Sequence, residues 1–131
     1  MADWEDVRQI ALALPDAEEG TSYGDRDWKI RGKSFVWERP LRRGDLEHLG
    51  DDAPAGDVLG VRVADLDAKD ALLAEEPDCC FTTPHFDGYP SVLVSLATVP
   101  TDLLRELIAE AWLARAPKRL AAAYQAARQP E

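Results

Sequence analysis

Near the N-terminus apolar residues recur as Trp4, Val7, Ala11 and Leu14, the i, i+3, i+7, i+10 spacing of one helix face. Asp3 is placed to cap that helix, and Glu5 and Asp6 fall in its first turn, where the helix dipole favours acids. Pro15-Asp16 ends it, and residues 16–24, with Gly20-Thr21-Ser22, read as loop. Trp28–Arg31 and Lys33–Glu38 flank Gly32 as the arms of a β-hairpin. Trp28 and Ile30 would share one face and Lys29 and Arg31 the other, while Phe35 and Trp37 alternate with Ser34, Val36 and Glu38. Pro40 ends the second arm or marks a sheet edge. Residues 41–57, loosened by Gly44, Gly50 and Gly56 and rich in acids, read as a long polar connection. Val58–Val63 is a third strand, and Asp65 caps a helix running to Glu76 with Ala68, Ala71 and Leu72 inward. Cys79–Thr83 and Ser91–Ala97 are the fourth and fifth strands. Thr101 caps a helix with Leu104, Leu107, Ile108 and Ala111 at helical spacing. Pro117 suits the first turn of a last helix carrying Leu120, Tyr124 and Ala127. The order α-βββ-α-ββ-αα predicts a two-layer α+β fold, a mostly antiparallel sheet of about five strands with helices on one face.

At 131 residues the chain reads as a single domain over residues 1–131, with a polar loop or insertion near 41–57. Its apolar stretches are broken every few residues, far short of the ~20 needed to span a membrane. The acidic start Met1-Ala2-Asp3-Trp4-Glu5-Asp6 is unlike a signal peptide, so the expected location is cytoplasmic. Two adjacent cysteines offer no disulfide framework. The net charge of −10 repels nucleic acid at long range. That charge is unevenly spread, however. Residues 26–43 hold seven bases against two acids, residues 45–78 eleven acids against two bases, and residues 115–128 four bases and no acid. A local basic surface therefore survives an acidic total.

Candidate chemistry gathers in Pro84-His85-Phe86-Asp87-Gly88-Tyr89-Pro90, which the flanking prolines and Asp87-Gly88 make a rigid loop between two strands. His85 with Asp87 could act as a general base held by a carboxylate, although Asp87 in a turn more often bonds its own backbone and His85 a main-chain group that pins the loop. Cys79-Cys80 could supply a thiolate beside His85, but on a strand the two side chains face opposite ways and only one can be core. Adjacent cysteines and two histidines fall short of a zinc set, so no metal is expected. Trp28, Trp37, Phe86 and Tyr89 could stack a flat ligand, while Trp28 and Trp37 on neighbouring arms could equally pair in the core. No phosphate loop, nucleophile elbow or dinucleotide fingerprint occurs.

Four stretches then fit one pattern in order. They are Leu14-Pro15 with Glu18-Glu19-Gly20-Thr21-Ser22-Tyr23-Gly24; Trp28-Lys29-Ile30 with Gly32-Lys33-Ser34-Phe35; Pro77-Asp78 leading to Pro84-His85-Phe86-Asp87-Gly88-Tyr89-Pro90-Ser91-Val92-Leu93-Val94; and Leu103–Leu107 with Ala111-Trp112 and Ala116-Pro117-Lys118-Arg119-Leu120. Together they resemble the MmcQ/YjbR family of small bacterial proteins over nearly the whole chain. Residues 39–57 depart from that family's compact strand connection and look like an insertion or a lengthened hairpin. The resemblance implies a two-layer domain similar to the secretion-chaperone-like class and a proposed "double-wing" mode of DNA binding, and it carries over no catalytic residue.

Two readings follow. The first is a non-enzymatic binding module, a monomer or weak dimer without cofactor, whose partner is DNA or another protein. It would grip phosphates through Lys29, Arg31, Lys33, Arg39, Arg42 and Arg43 of a basic hairpin, with Lys118 and Arg119, beside Arg115, near the start of the last helix. The second is a small-molecule pocket, with or without catalysis, lined by Trp28, His85, Asp87 and Tyr89. A continuous basic surface would favour the first; a concavity with His85 on its wall would favour the second.

Overall fold

Two tight hairpins begin the sheet. The computed structural model describes residues 2–128. After helix α1 (Trp4–Leu12), strands β1 (Ala17–Ser22) and β2 (Asp25–Ile30) are joined by Tyr23-Gly24, and β2 and β3 (Lys33–Glu38) by Arg31-Gly32. Both central residues of each loop have positive φ, 52° and 84° in the first and 51° and 82° in the second. That is the backbone of a type I′ turn, whose twist matches that of the flanking strands. The chain continues through α2 (Arg43–Leu49), a 3-10 turn, β4 (Val58–Arg62), α3 (Leu66–Glu75), β5 (Cys80–Phe81), a second 3-10 turn at Pro84–Phe86, β6 (Ser91–Ser95), α4 (Thr101–Arg115) and α5 (Lys118–Arg128). The six strands are ordered β1-β2-β3-β4-β6-β5, every neighbouring pair antiparallel. The fold is α+β.

One face of the sheet carries the core. Trp28, Ile30, Val36, Leu59, Val61, Val92 and Val94 meet Val7 and Ala11 of α1 and Leu104, Ile108, Ala111 and Trp112 of α4, all buried. Caps fix where α1 and α3 start: Asp3 accepts the Asp6 N–H at 2.9 Å and Asp65 the Ala68 N–H at 2.8 Å, whereas Thr101, expected as the cap of α4, is its first residue, after Pro100. Trp112 donates its indole N–H to the Pro15 carbonyl at 3.0 Å, tying α4 to the end of α1. Pro117 stands just before α5, its carbonyl accepting the Ala121 N–H at 2.9 Å.

The structure corrects the sequence expectations at several points. Residues 17–22 form an edge strand, not a loop. Ala-Glu-Glu-Gly-Thr-Ser has no apolar alternation because an edge strand exposed on both faces needs none. Residues 43–49 form a helix whose apolar residues are Leu46, exposed, and Leu49, half-buried, so no buried apolar period announces it. Ala71 is exposed on α3, and the side chain that α3 buries is Lys69. Cys79 precedes β5 rather than lying in it, so both cysteines are buried, with sulfurs 3.8 Å apart.

A bulge in the second hairpin matters most for the site. Trp28 pairs with Val36 but Lys29 with Ser34, so Phe35 is an extra residue and the alternation of β3 shifts there. Trp28 and Trp37 therefore do not pair. Trp28 faces the core and stacks on Trp4 at 6.3 Å between ring centroids, whereas Trp37 sits opposite Asp27 on the other face. Among the described residues no helix is long and apolar enough to cross a membrane.

Candidate functional site

Antiparallel register builds the floor of a cleft on the sheet face away from the core. Trp37 lies opposite Gly60 of β4, and Gly60 opposite Leu93 of β6. The indole lies directly over Gly60, where a methyl group would overlap the ring, so only glycine allows this approach. Two residues along β4, on the same face, comes Arg62. Above the floor runs the Pro84–Pro90 loop, with His85 and Phe86 turned to the cleft. The open cleft has a volume of about 430 Å³, within the usual size of small-molecule sites.

The loop is held from two sides. Lys69 of α3 donates from Nζ to the carbonyls of Phe86 at 2.7 Å and Tyr89 at 3.0 Å. Burial pushes this ammonium below the ordinary lysine value, and Asp87 and Asp70 pull it part of the way back. On the other side Arg39, buried at the end of β3, lies 5.3 Å from the Phe86 ring centroid, donates to the Pro40 carbonyl and pairs with Asp45 of α2 at 3.0 Å. Burial alone would raise the Asp45 carboxyl. The Arg42 backbone N–H at 2.9 Å and the Arg39 guanidinium outweigh it, so the carboxyl is held below its ordinary range. The short helix that the sequence reading missed thus anchors one wall.

The charges on the lining are unbalanced. Arg26, Arg39, Arg42, Arg62 and Arg115 line the cleft against Asp25, Asp27 and Glu38, in a protein of net charge −10. Glu38 takes Arg26 at 3.2 Å; Asp27 takes the Ser34 hydroxyl at 2.7 Å and Lys29 at 3.7 Å. Among the described residues Arg42, Arg62 and Arg115 have no ion-pair partner. Burial first, and then the neighbouring Arg115, push the Arg62 guanidinium below its ordinary value. Arginine stays protonated all the same, so Arg62 keeps its positive charge in the cleft. Arg115 Nε is buried with no hydrogen-bond partner among the described residues. Two half-buried guanidiniums in one lining, one with an unused donor among the described residues, have the chemistry to take up an anion.

The structure scatters the sequence candidates. Trp28 is fully buried and donates its indole N–H to Glu19 at 3.1 Å, away from the cleft. Asp87 and Tyr89 are exposed and do not line the cleft, leaving His85 alone of that set on its wall. His85 meets the Phe86 ring edge-on at 4.9 Å, and the loop is pinned by Lys69. Of the basic set, Arg31 pairs with Asp16 at 2.6 Å, Arg43 with Glu47 at 3.2 Å, Lys29 with Asp27 and Arg39 with Asp45. Lys33 is exposed at the start of β3, Arg42 lines the cleft, and Lys118 and Arg119 are exposed on α5, which contributes nothing to the cleft. Burial raises both cysteine thiols, keeping them protonated and inert. Among the described residues no three His, Cys, Asp or Glu side chains gather as a metal site. Arg62 was missed, although a charged residue two positions after a glycine in an apolar strand is a readable signal. A larger open groove of about 790 Å³ beside α5 holds Asp102, Glu106 and Glu110 against Arg105 and Arg128. It has neither the cation excess nor the anchored walls.

The YjbR family model matches residues 12–114. Uncharacterized proteins of Mycobacterium bovis and Mycobacterium tuberculosis are each 50% identical to the chain over 129 residues, covering 96% of it and 98% of their own length. The crystal structure of the Deinococcus radiodurans protein DR2400, domain DUF419, is similar with a TM-score of 0.60 at 22% identity, over 86% of this chain and 78% of that one. By the family match and the mycobacterial identity, this chain belongs to the YjbR family.

Proposed function

We propose that this protein is a binding module that holds a small anionic molecule in the cleft beneath the Pro84–Pro90 loop. The observation that carries the reading is the Arg62–Arg115 pair, partly buried, without a carboxylate partner among the described residues and with Arg115 Nε unbonded. A buried donor without an acceptor costs about 1–3 kcal/mol, and more when charged, which an anion would recover. Arg42 is placed at the rim to add a third charge. No catalytic role is assigned to His85. DNA binding through the basic hairpin is the weaker reading, because four of its six cations are neutralised by nearby carboxylates.

Thermal unfolding at constant ionic strength tests the anion site, with sodium phosphate replacing sodium chloride. A bound anion at a hundred times its Kd adds about 2.7 kcal/mol, a rise of several degrees in Tm. The expected result is that rise in the wild type and a much smaller one in Arg62→Gln/Arg115→Gln. Equal shifts in both proteins would mean a general salt effect and no site.

A further inference from the structure

Trp37 and Arg62 lie on one face of the sheet in contiguous positions, and this suggests which anion the cleft takes. Trp37 spreads over Gly60, and Arg62 follows Gly60 by two residues on β4, roughly 7 Å along the strand. The Trp37 ring is half-buried and lines the cleft, with one side packed on backbone and Leu93 next across the sheet. It is a flat, rigid side chain in the lining of the cleft. Beside it Arg62 and Arg115 place two positive charges without a partner among the described residues. One carboxylate would neutralise only one of them. A phosphomonoester near pH 7 carries between one and a half and two negative charges and three acceptor oxygens, and so answers both.

Resting on the anion reading above, we propose that the ligand is a phosphomonoester of a planar ring, the nucleoside-monophosphate class. Its ring stacks on Trp37 and its phosphate is held between Arg62 and Arg115. Stacking on an aromatic side chain is sequence-tolerant, because every base presents a π-face. The cleft therefore selects for a ring and a phosphate together, while Asp27 and Ser34 on the same face are taken up by each other.

Isothermal titration calorimetry with four probes decides it: inorganic phosphate, glycerol 3-phosphate, adenosine and AMP. The expected order is AMP tighter than glycerol 3-phosphate by about tenfold or more, the gain that one stacked base supplies, with adenosine weaker than AMP. Trp37→Leu should bring AMP and glycerol 3-phosphate to equal affinity, and Trp37→Phe should keep part of the difference. Arg62→Gln should weaken AMP and phosphate alike. If AMP and glycerol 3-phosphate bind the wild type equally, and both depend on Arg62, the ring proposal is overturned while the anion site stands. If adenosine binds as tightly as AMP, the phosphate assignment is wrong. Binding of none of the four would remove this inference and the anion reading with it. The wild-type series decides the matter even if the Trp37→Leu protein fails to fold.

Discussion

Asp45 illustrates how one residue holds a wall of the site. Its carboxylate and Arg39 are almost fully buried, at 6% and 9% side-chain exposure, and meet at 3.0 Å. Removing one partner of such a pair leaves the other charge buried, at a cost of about 3–5 kcal/mol. Asp45→Asn is therefore expected to lower stability by about 3 kcal/mol at pH 7, read from urea unfolding midpoints. The pH dependence has a definite sign. The folded-state pKa lies below the ordinary 3.8, so the contribution is present in full above that value and is lost as pH falls through the folded one. The gap between wild type and Asp45→Asn should be widest at neutral pH and narrow below pH 3.8; a gap that widened with acid would refute the assignment. Lys69 belongs to the same scale. Its two hydrogen bonds to loop carbonyls make it a strut, and nothing in a lone lysine on an otherwise polar helix face distinguishes it from a solvated one.

Hairpins are the elements on which the cleft face is mounted. The Arg31-Gly32 turn needs positive φ at both residues, and Gly32 sits at 82° in open space, so a side chain there meets conformational strain without a clash. Gly32→Ala is expected to cost about 1 kcal/mol, with native spectroscopic signatures retained in the folded protein. A change below a few tenths of a kcal/mol would argue against the type I′ geometry. The turn was legible because glycine between two β-rich arms is a local signal. The bulge at Phe35 was not. It exists because the register with β2 and the burial of both Phe35 and Val36 require it, and those partners are remote in the chain. Its consequence is large, since it puts Trp37 on the cleft face and Trp28 in the core.

For the whole molecule, charge decides which partners are admitted. A protein at −10 approaches DNA against its own field, and the hairpin cations that would oppose it are mostly paired at short range. Fluorescence anisotropy with labelled mixed-sequence duplex and single strands should show no saturable binding at 150 mM salt and at most weak binding at low salt. Micromolar affinity that fell with salt and vanished in Arg39/Arg42/Arg43→Ala would restore the double-wing reading. The same field does not exclude a small anion, because the cleft lining carries more arginines than acids and charges beyond a Debye length of about 8 Å are largely screened.

Local chemistry by itself determined the α+β class, the caps at Asp3 and Asp65 and the hairpin about Gly32, because each rests on neighbours a few residues apart. The resemblance to YjbR proteins was legible in the same way, from motifs taken in order. The edge strand β1 and the short α2 were not, since neither buries an apolar period. The site itself was decided by tertiary structure. Arg62 ends a strand and Arg115 a helix, and only the packing of α4 against β4 sets them together. The same holds for charge. Composition counts cations, but whether a guanidinium is neutralised, as Arg31 is by Asp16, or left for a ligand depends on which carboxylate the fold brings within a few ångströms.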